Sequence, residues 1–389
     1  MEGDWIKINE WLYPLSWLYR MGVGIRNKLF DWGILPSEAF DVPVISVGNI
    51  TVGGTGKTPH VEYLVRLLKE VCTVAVLSRG YKRSTRGFLL ADESTTAREI
   101  GDEAYQMKLK YPFISMAVDK NRREGIRLLS DNQQTGVILL DDAFQHRYVR
   151  PGINILLTDY HRLICDDALL PAGRLREPKK SKDRANIVIV TKCPRTIKPM
   201  DFRVLSKALS LYPYQKLFFT TFKYTHIYPL FTNKKQDISL TEILEDEEIL
   251  LVAGVAQPKQ VEDDLAIYCK HITLMPFSDH HSFKERDLIR IREAFDNLKG
   301  KHKRIITTEK DAARLRTIVN DEVLKENLFV LPVEVEFLLD EEEQFNQTII
   351  GYVQKNSRNS VLVKSQNAHK SQNSNNNGNG SRKISFRYN

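Results

Sequence analysis

The sequence predicts a P-loop NTPase-like, doubly wound parallel α/β sheet with a second, smaller α/β domain. Three observations carry this. Val44–Val47, a glycine-rich turn and the amphipathic segment after Lys57-Thr58 read as strand, phosphate loop and helix. A strand-then-helix rhythm then repeats, with continuous β-branched runs, as expected of parallel strands buried on both faces. After a pause around Tyr224–Pro229 the same rhythm resumes, and 389 residues are long for one core.

In the first cycle, Gly53, Gly54 and Gly56 let the backbone turn tightly and aim N–H groups inward, while the following helix presents its positive end. Such a cradle suits a polyphosphate. In the G-x-x-x-x-G-K-[ST] pattern Lys57 reaches the β/γ-phosphates and the Thr58 hydroxyl ligates Mg²⁺. Thr51 stands where the pattern has its first glycine, and Pro59 sits in the first helical turn, where a missing N–H costs nothing.

The expected elements follow in order: strand Val42–Val47, helix Pro59–Glu70, strand Thr73–Ser78, helix Ile100–Lys110, strand Phe113–Val118, helix Arg122–Ser130, strand Val137–Leu140, then strands Ile153–Thr158, Ile187–Thr191 and Leu217–Phe222. Thr225–Leu230 reads as a connector. The second cycle comprises strand Ile249–Ala253, helix Pro258–Lys270, strand Ile272–Met275, helix Phe283–Leu298, strand Arg304–Thr308, helix Asp311–Ile318 and strand Leu328–Val335. Helix Glu341–Gln354 either closes this domain or returns to the first. The resulting division is an amphipathic N-terminal segment 1–35, a P-loop domain 36–223, a smaller domain 224–354 and a basic, Asn-rich tail 355–389 that cannot repay its ordering entropy.

Trp5 to Leu35 holds all four tryptophans among scattered Arg and Lys. An interfacial anchor needs that mixture, and a helix packed on its own domain accommodates it equally well. No signal-peptide pattern and no apolar run of about 18 residues is present, so no span is expected. The net charge is +8, but seven basic residues and no acid lie between Lys355 and Asn389, so the basicity belongs to the tail. That argues against a nucleic-acid-binding body. Cys72, Cys165, Cys193 and Cys269 form no C-x-x-C pair, which points to a reducing compartment and away from zinc.

Charged residues gather at predicted strand ends, where a doubly wound sheet places its ligand crevice. Asp141 and Asp142 follow four apolar residues, as an Mg²⁺-side carboxylate of a P-loop enzyme does; a solvated strand end is the plainer reading. Arg79 and Tyr81 end another strand. Asp102 and Glu103 open a helix, as caps or as carboxylates at the crevice. The Pro/Gly-bounded loop Leu169–Pro178 carries Arg174, Arg176 and Glu177. His280 and His281 cannot share one helix face, so one of them as acid, base or orienting group is favoured over a metal pair. Thr308-Glu309-Lys310-Asp311 reads most simply as ion pairing at a helix start.

Taken together, Gly48–Pro59, Ser78-Arg79-Gly80-Tyr81, Gly101-Asp102-Glu103, Asp141–His146, Leu170–Pro178, Asp279-His280 and Thr308–Ala312 resemble, in order, the tetraacyldisaccharide 4′-kinase family. The resemblance implies ATP- and Mg²⁺-dependent phosphorylation of the 4′-hydroxyl of a tetraacylated glucosamine disaccharide 1-phosphate at the cytoplasmic face of the bacterial inner membrane. It also implies two hinged α/β domains and a membrane-seated N-terminal helix. By motif it assigns Thr51, Val52, Gly53, Gly54, Thr55, Gly56, Lys57 and Thr58 to ATP, and Thr58, Asp141 and Asp142 to the metal. Asp102 with His280 forms the base pair, Lys57 and Asp142 act beside it, and Tyr81, Arg122, Arg176 and Glu177 contact substrate or phosphate. No nucleic acid or obligate protein partner is implied. Lys82, where the family often has Gly, and the basic tail depart from the pattern. From residues alone, a membrane-associated P-loop ATPase switch remains the rival, because it shares the loop and the amphipathic segment.

Overall fold

The computed structural model describes residues 8–131, 135–231, 236–255, 257–279 and 281–356. Its larger sheet contains β1 (Val44–Asn49), β2 (Val74–Ser78), β3 (Leu89–Leu90), β4 (Ser115–Val118), β5 (Val137–Asp141), β6 (Ile153–Asp159), β7 (Ile187–Thr191) and β8 (Lys216–Lys223). The smaller contains β9 (His226–Pro229), β10 (Ile238–Ser239), β11 (Glu248–Ala253), β12 (His271–Pro276), β13 (Lys303–Thr308) and β14 (Leu328–Leu331). The chain then returns to the larger sheet as β15 (Glu334–Phe337). Strand orders are β15-β8-β7-β6-β1-β5-β2-β4-β3 and β10-β9-β14-β13-β11-β12. β1 lies between β5 and β6, parallel to both, with Val47 opposite Asp141 and Ile155. The phosphate loop therefore leaves the sheet beside the strand that ends in the two carboxylates.

The helices are α1 (Tyr13–Asp31), α2 (Lys57–Leu68), α3 (Ala97–Ile100), α4 (Asp102–Lys110), α5 (Arg122–Asp131), α6 (Pro199–Leu209), α7 (Pro258–Leu265), α8 (Glu285–Asp296), α9 (Glu309–Leu315), α10 (Glu322–Asn327) and α11 (342–356). Period-two alternation sorts β1, with Ile45 and Val47 facing a core shared with α2, α4 and α11. Val44 faces the opposite core with α5, and α6 covers the strands further along that face.

Three expectations are corrected. Leu328–Val335 is two strands in two sheets: Pro332 interrupts the run, and Val335 and Phe337 alternate with Glu334 and Glu336 as an antiparallel edge strand on β8. The domain drawn as 224–354 is consequently too long, because Phe345, Ile349 and Val353 of α11 pack into the larger domain's core. The connector Thr225–Leu230 contains β9, which pairs with β14 and β10.

α2 carries an acid-sensitive element. His60 is fully buried, its Nδ1 2.7 Å from the Gly56 carbonyl and its Nε2 3.1 Å from Thr220 Oγ1. A carbonyl only accepts, so Nδ1 bears the proton and Nε2 accepts from the threonine. Burial depresses the imidazole to about 4, against the Gly56 bond that favours the charged form. The native state thus binds fewer protons than the unfolded chain below about pH 6.5, and the stability present above that pH is lost on acidification toward pH 4, by at most ~1.4 kcal/mol per pH unit. Equilibrium unfolding should show this slope, and His60→Gln should flatten it.

Candidate active site

Gly56 is the N-cap of α2 at φ +81°, a left-handed conformation, and a Cβ there would stand 2.6 Å from Phe222 Cζ. The backbone conformation calls for glycine, and any larger residue would also displace the Phe222 ring. Lys57, Thr58 and Pro59 form the first helical turn. The loop ahead of them is braced on each side: Asn49 Nδ2 donates to Thr55 Oγ1 at 2.7 Å, and Thr191 Oγ1 donates to the Thr55 carbonyl at 3.0 Å. Thr51 pairs with Leu175 in an antiparallel bridge, with Val52 N donating to Arg174 O and Arg176 N to Ile50 O. Val52, Gly53 and Gly54 are left exposed at the tip. The 169–178 loop is thus a second wall of the phosphate cradle, a role its motif alone did not disclose.

At the end of β5, Asp141 is buried and Asp142 adopts φ +48°. Asp142 lies 3.6 Å from Lys57 Nζ and 3.5 Å from Arg176 Nη1. Ser78 Oγ donates to Asp141 Oδ2 at 3.4 Å, while Asp141 Oδ1 has no hydrogen-bond partner among the described residues. Burial, then Glu103 and Asp142, push the Asp141 carboxyl up to about 7 against the pull of Lys57 and Arg122. A buried carboxylate with an orphan oxygen, crowded by two other acids, fits a divalent cation of hard-oxygen preference. Among the described residues no group of three or more His, Cys, Asp or Glu is placed to hold a metal ion.

Two expected ligand contacts are internal. Arg122 is 2% exposed and donates to the Asp119 and Asp141 carbonyls, so it sits beneath the carboxylates as a positioning group. Glu177 is 1% exposed and accepts from Arg184 Nη2 at 2.7 Å, fixing the 169–178 loop from inside. Burial wins over the exposed reading that a charged loop suggests.

Tyr81 and Asp102 line a cleft of about 80 Å³ together with Ser282 and Arg314 of the smaller domain. Gly101, at φ +89°, lets the two motifs meet, since a Cβ would stand 2.7 Å from the Tyr81 carbonyl. Arg314 Nε donates to Asp102 Oδ2 at 3.1 Å, and Arg314 Nη1 lies 3.6 Å from Asp311 Oδ1. Asp311 is held in turn by Gly254 N and Thr308 Oγ1, both at 2.7 Å. The Thr308–Asp311 motif therefore does more than begin a helix: it anchors an arginine that reaches across to Asp102. Lys110 makes a second tie between domains, 2.6 Å from Glu62 and 2.5 Å from Glu309. His281 faces Asp287 at 3.0 Å and packs on Phe277 and Phe283, a structural role. His280 lies outside the described residues.

Against this geometry, the profile of the tetraacyldisaccharide-1-P 4′-kinase family matches residues 8–354. The chain belongs to the tetraacyldisaccharide 4′-kinase family. Relatives bearing that name include one from Phocaeicola vulgatus, 59% identical over 92% of this chain and 99% of the relative. Another, from Bacteroides thetaiotaomicron, is 53% identical over 95% of this chain and 100% of the relative. Among solved structures, the "apo" form of LpxK from Aquifex aeolicus in complex with ATP superposes with a TM-score of 0.69 at 30% identity, covering 89% of this chain and 99% of that one.

α1 packs directly on the loops around this site. Its inner face bonds the loops behind the phosphate cradle: Ser16 Oγ to Leu169 O, Tyr19 Oη to Arg176 O, and Arg26 Nη2 to Gln145 O. The opposite face presents Trp17, Leu18, Met21 and Ile25, continued by Trp11, 93% exposed, and Trp32. The reading of a helix packed on its own domain describes the inner face, while the other face is apolar and exposed. No helix among the described residues is long and apolar enough to cross a membrane.

Sequence reasoning passed over Arg314, and it left Glu103, which raises Asp141, between a helix cap and a carboxylate at the crevice. The signal for Glu103 was its place beside Asp102. Arg314 had none, since an arginine three residues after an aspartate is ordinary on a helix.

Proposed function

We propose that this chain is a lipid kinase that transfers the γ-phosphate of ATP to the 4′-hydroxyl of a tetraacyldisaccharide 1-phosphate, the lipid A step that forms lipid IVA. The observation that carries the proposal is the convergence, in a chain of this family, of a braced phosphate loop, Lys57 facing Asp142, and Asp102 in a cleft walled by a second domain. Phosphoryl transfer needs mainly positioning and neutralisation of charge. The loop amides of Val52–Gly56 and the positive end of α2 hold the polyphosphate, and Lys57 meets the charge that builds on the β/γ-oxygens. Thr58, Asp141 and Asp142 would hold Mg²⁺, which neutralises phosphate charge when bound. Asp102, with His280 as its partner, accepts the proton of the sugar hydroxyl, and Arg314 orients that carboxylate from the smaller domain. Tyr81 and Arg176 remain at the mouth of the site as substrate contacts.

The switch-ATPase alternative is disfavoured by family membership and by its having no need of Asp102 or an opposing domain. The discriminating assay is radiolabelled ATP with tetraacyldisaccharide 1-phosphate in detergent micelles. Label should appear in the lipid; label released only as inorganic phosphate would refute the kinase reading.

The acceptor's acyl chains lie in a bilayer, so the enzyme meets the sugar at headgroup level, and we place it at the cytoplasmic face of the inner membrane with the outer face of α1 in the interface. Indoles and aliphatics on that face suit this depth, with Arg20 and Lys28 near anionic headgroups. A Trp11→Glu, Leu18→Glu, Ile25→Glu variant leaves the bonds of Ser16 and Tyr19 intact. It should fold and keep ATP binding while losing most of its binding to anionic vesicles in flotation assays. Undiminished flotation would place the anchor elsewhere.

A further inference from the structure

The crossover from β5 to β6, residues 142–152, contains no helix. On that face of the sheet α5 packs on the strands to one side, reaching Val44 of β1, and α6 on those to the other, reaching Leu156 of β6, which leaves a gap over Ser46 and Asn154 that neither cluster fills. A cavity of about 640 Å³ occupies the gap, within the size range of small-molecule sites.

Its floor is polar where strand interiors are normally apolar. Ser46 is 2% exposed and Asn154 9% exposed; Ser46 Oγ and Asn154 Oδ1 both lack a hydrogen-bond partner among the described residues. The two residues are register partners on adjacent strands, so their side chains stand side by side on one face. Asn154 is held in orientation by its own bonds, Nδ2 donating to Arg184 O and the backbone N to Asn186 Oδ1. Leaving two such oxygens unsatisfied is costly, and a ligand bearing hydroxyl groups removes that cost.

The walls specify charge. Arg147, Arg150 and Arg184 line the cavity and no carboxylate does among the described residues. Asp31 and Glu177 hold Arg147 and Arg184 in fixed orientations, whereas Arg150 is exposed and forms no ion pair among the described residues. Phe30 and Phe144 supply apolar surface. The cavity extends to Gly152 and Asn186, which precede β6 and β7, at the end of the strands opposite the phosphate loop.

We infer that this cavity is a second binding site, separate from the nucleotide crevice, for a small phosphorylated polyol: hydroxyls on Ser46 and Asn154, phosphate on Arg150 and Arg147. The same chemistry occurs in a free polyol phosphate and in an anionic lipid headgroup. The test uses the full chain saturated with Mg²⁺ and a non-hydrolysable ATP analogue, so that the phosphate loop is filled. Glycerol phosphate is titrated calorimetrically in one arm and phosphatidylglycerol vesicles are used in the other. One saturable site is expected, weakened at least about tenfold by Arg150→Glu and by Ser46→Val while melting temperature and analogue binding are kept. Variant-sensitive binding of glycerol phosphate assigns a soluble ligand, and variant-sensitive binding of vesicles alone assigns a headgroup. No saturable binding in either arm, or binding indifferent to both variants, overturns the proposal.

Discussion

Replacing Lys57 with alanine lowers turnover about a hundred- to a thousand-fold, the range for removing one preorganised charge donor from a reacting site. The expectation rests on position. Lys57 is the first residue of α2, after a left-handed backbone position that glycine fills without strain, and its ammonium faces Asp142 across 3.6 Å. In the free protein that ion pair keeps the lysine at the crevice; with nucleotide present the β/γ-oxygens compete for it. Because Lys57 is one of the two cations opposing the high proton affinity of Asp141, the variant should also take up a proton there more readily. Weakened Mg²⁺-dependent stabilisation by ATP in thermal unfolding would therefore accompany the loss of rate. Near-normal turnover in a folded Lys57→Ala protein would remove the phosphate-loop assignment.

The phosphate loop was legible because everything that defines it is local: an apolar strand, glycines at fixed offsets, Lys-Thr and a helix within fifteen or so residues of one another. The carboxylates of β5 were legible for the same reason, their strand being an uninterrupted apolar run. What stayed hidden is non-local. Arg122 and Glu177 look like any charged loop or helix residue, and only the packing of β5 and of Arg184 around them turns them inward. The return of the chain after Pro332 depends on an edge of β8 being open for β15, which no pattern in Leu328–Val335 announces. Arg314 gains its role from a domain contact, through Asp102 on one side and Asp311 on the other.

That contact bears directly on the acceptor base. A sugar hydroxyl is a poor nucleophile and sheds its proton as the phosphoryl group arrives, so a positioned acceptor within hydrogen-bond reach is needed. Asp102 heads α4 in the interdomain cleft, where its carboxylate is aligned by Arg314 rather than spent wholly on its own helix cap. If Asp102 and His280 work as one unit, removing either should cost about as much as removing both, because residues acting together lose activity non-additively. The expected result is a large fall in turnover for Asp102→Ala and for His280→Ala, with the double variant scarcely worse than the poorer single and ATP binding retained in all three. Arg314→Ala should fall between these and the native enzyme, and Arg314→Lys should restore part of the loss by returning a cation without the guanidinium geometry. The competing account is that Asp102 merely caps α4 and pairs across the interface, worth roughly 1 kcal/mol of stability. Measuring turnover and melting temperature together separates them: singles that melt earlier but keep most of their turnover would leave Asp102 a structural carboxylate and send the search for the base elsewhere in the cleft.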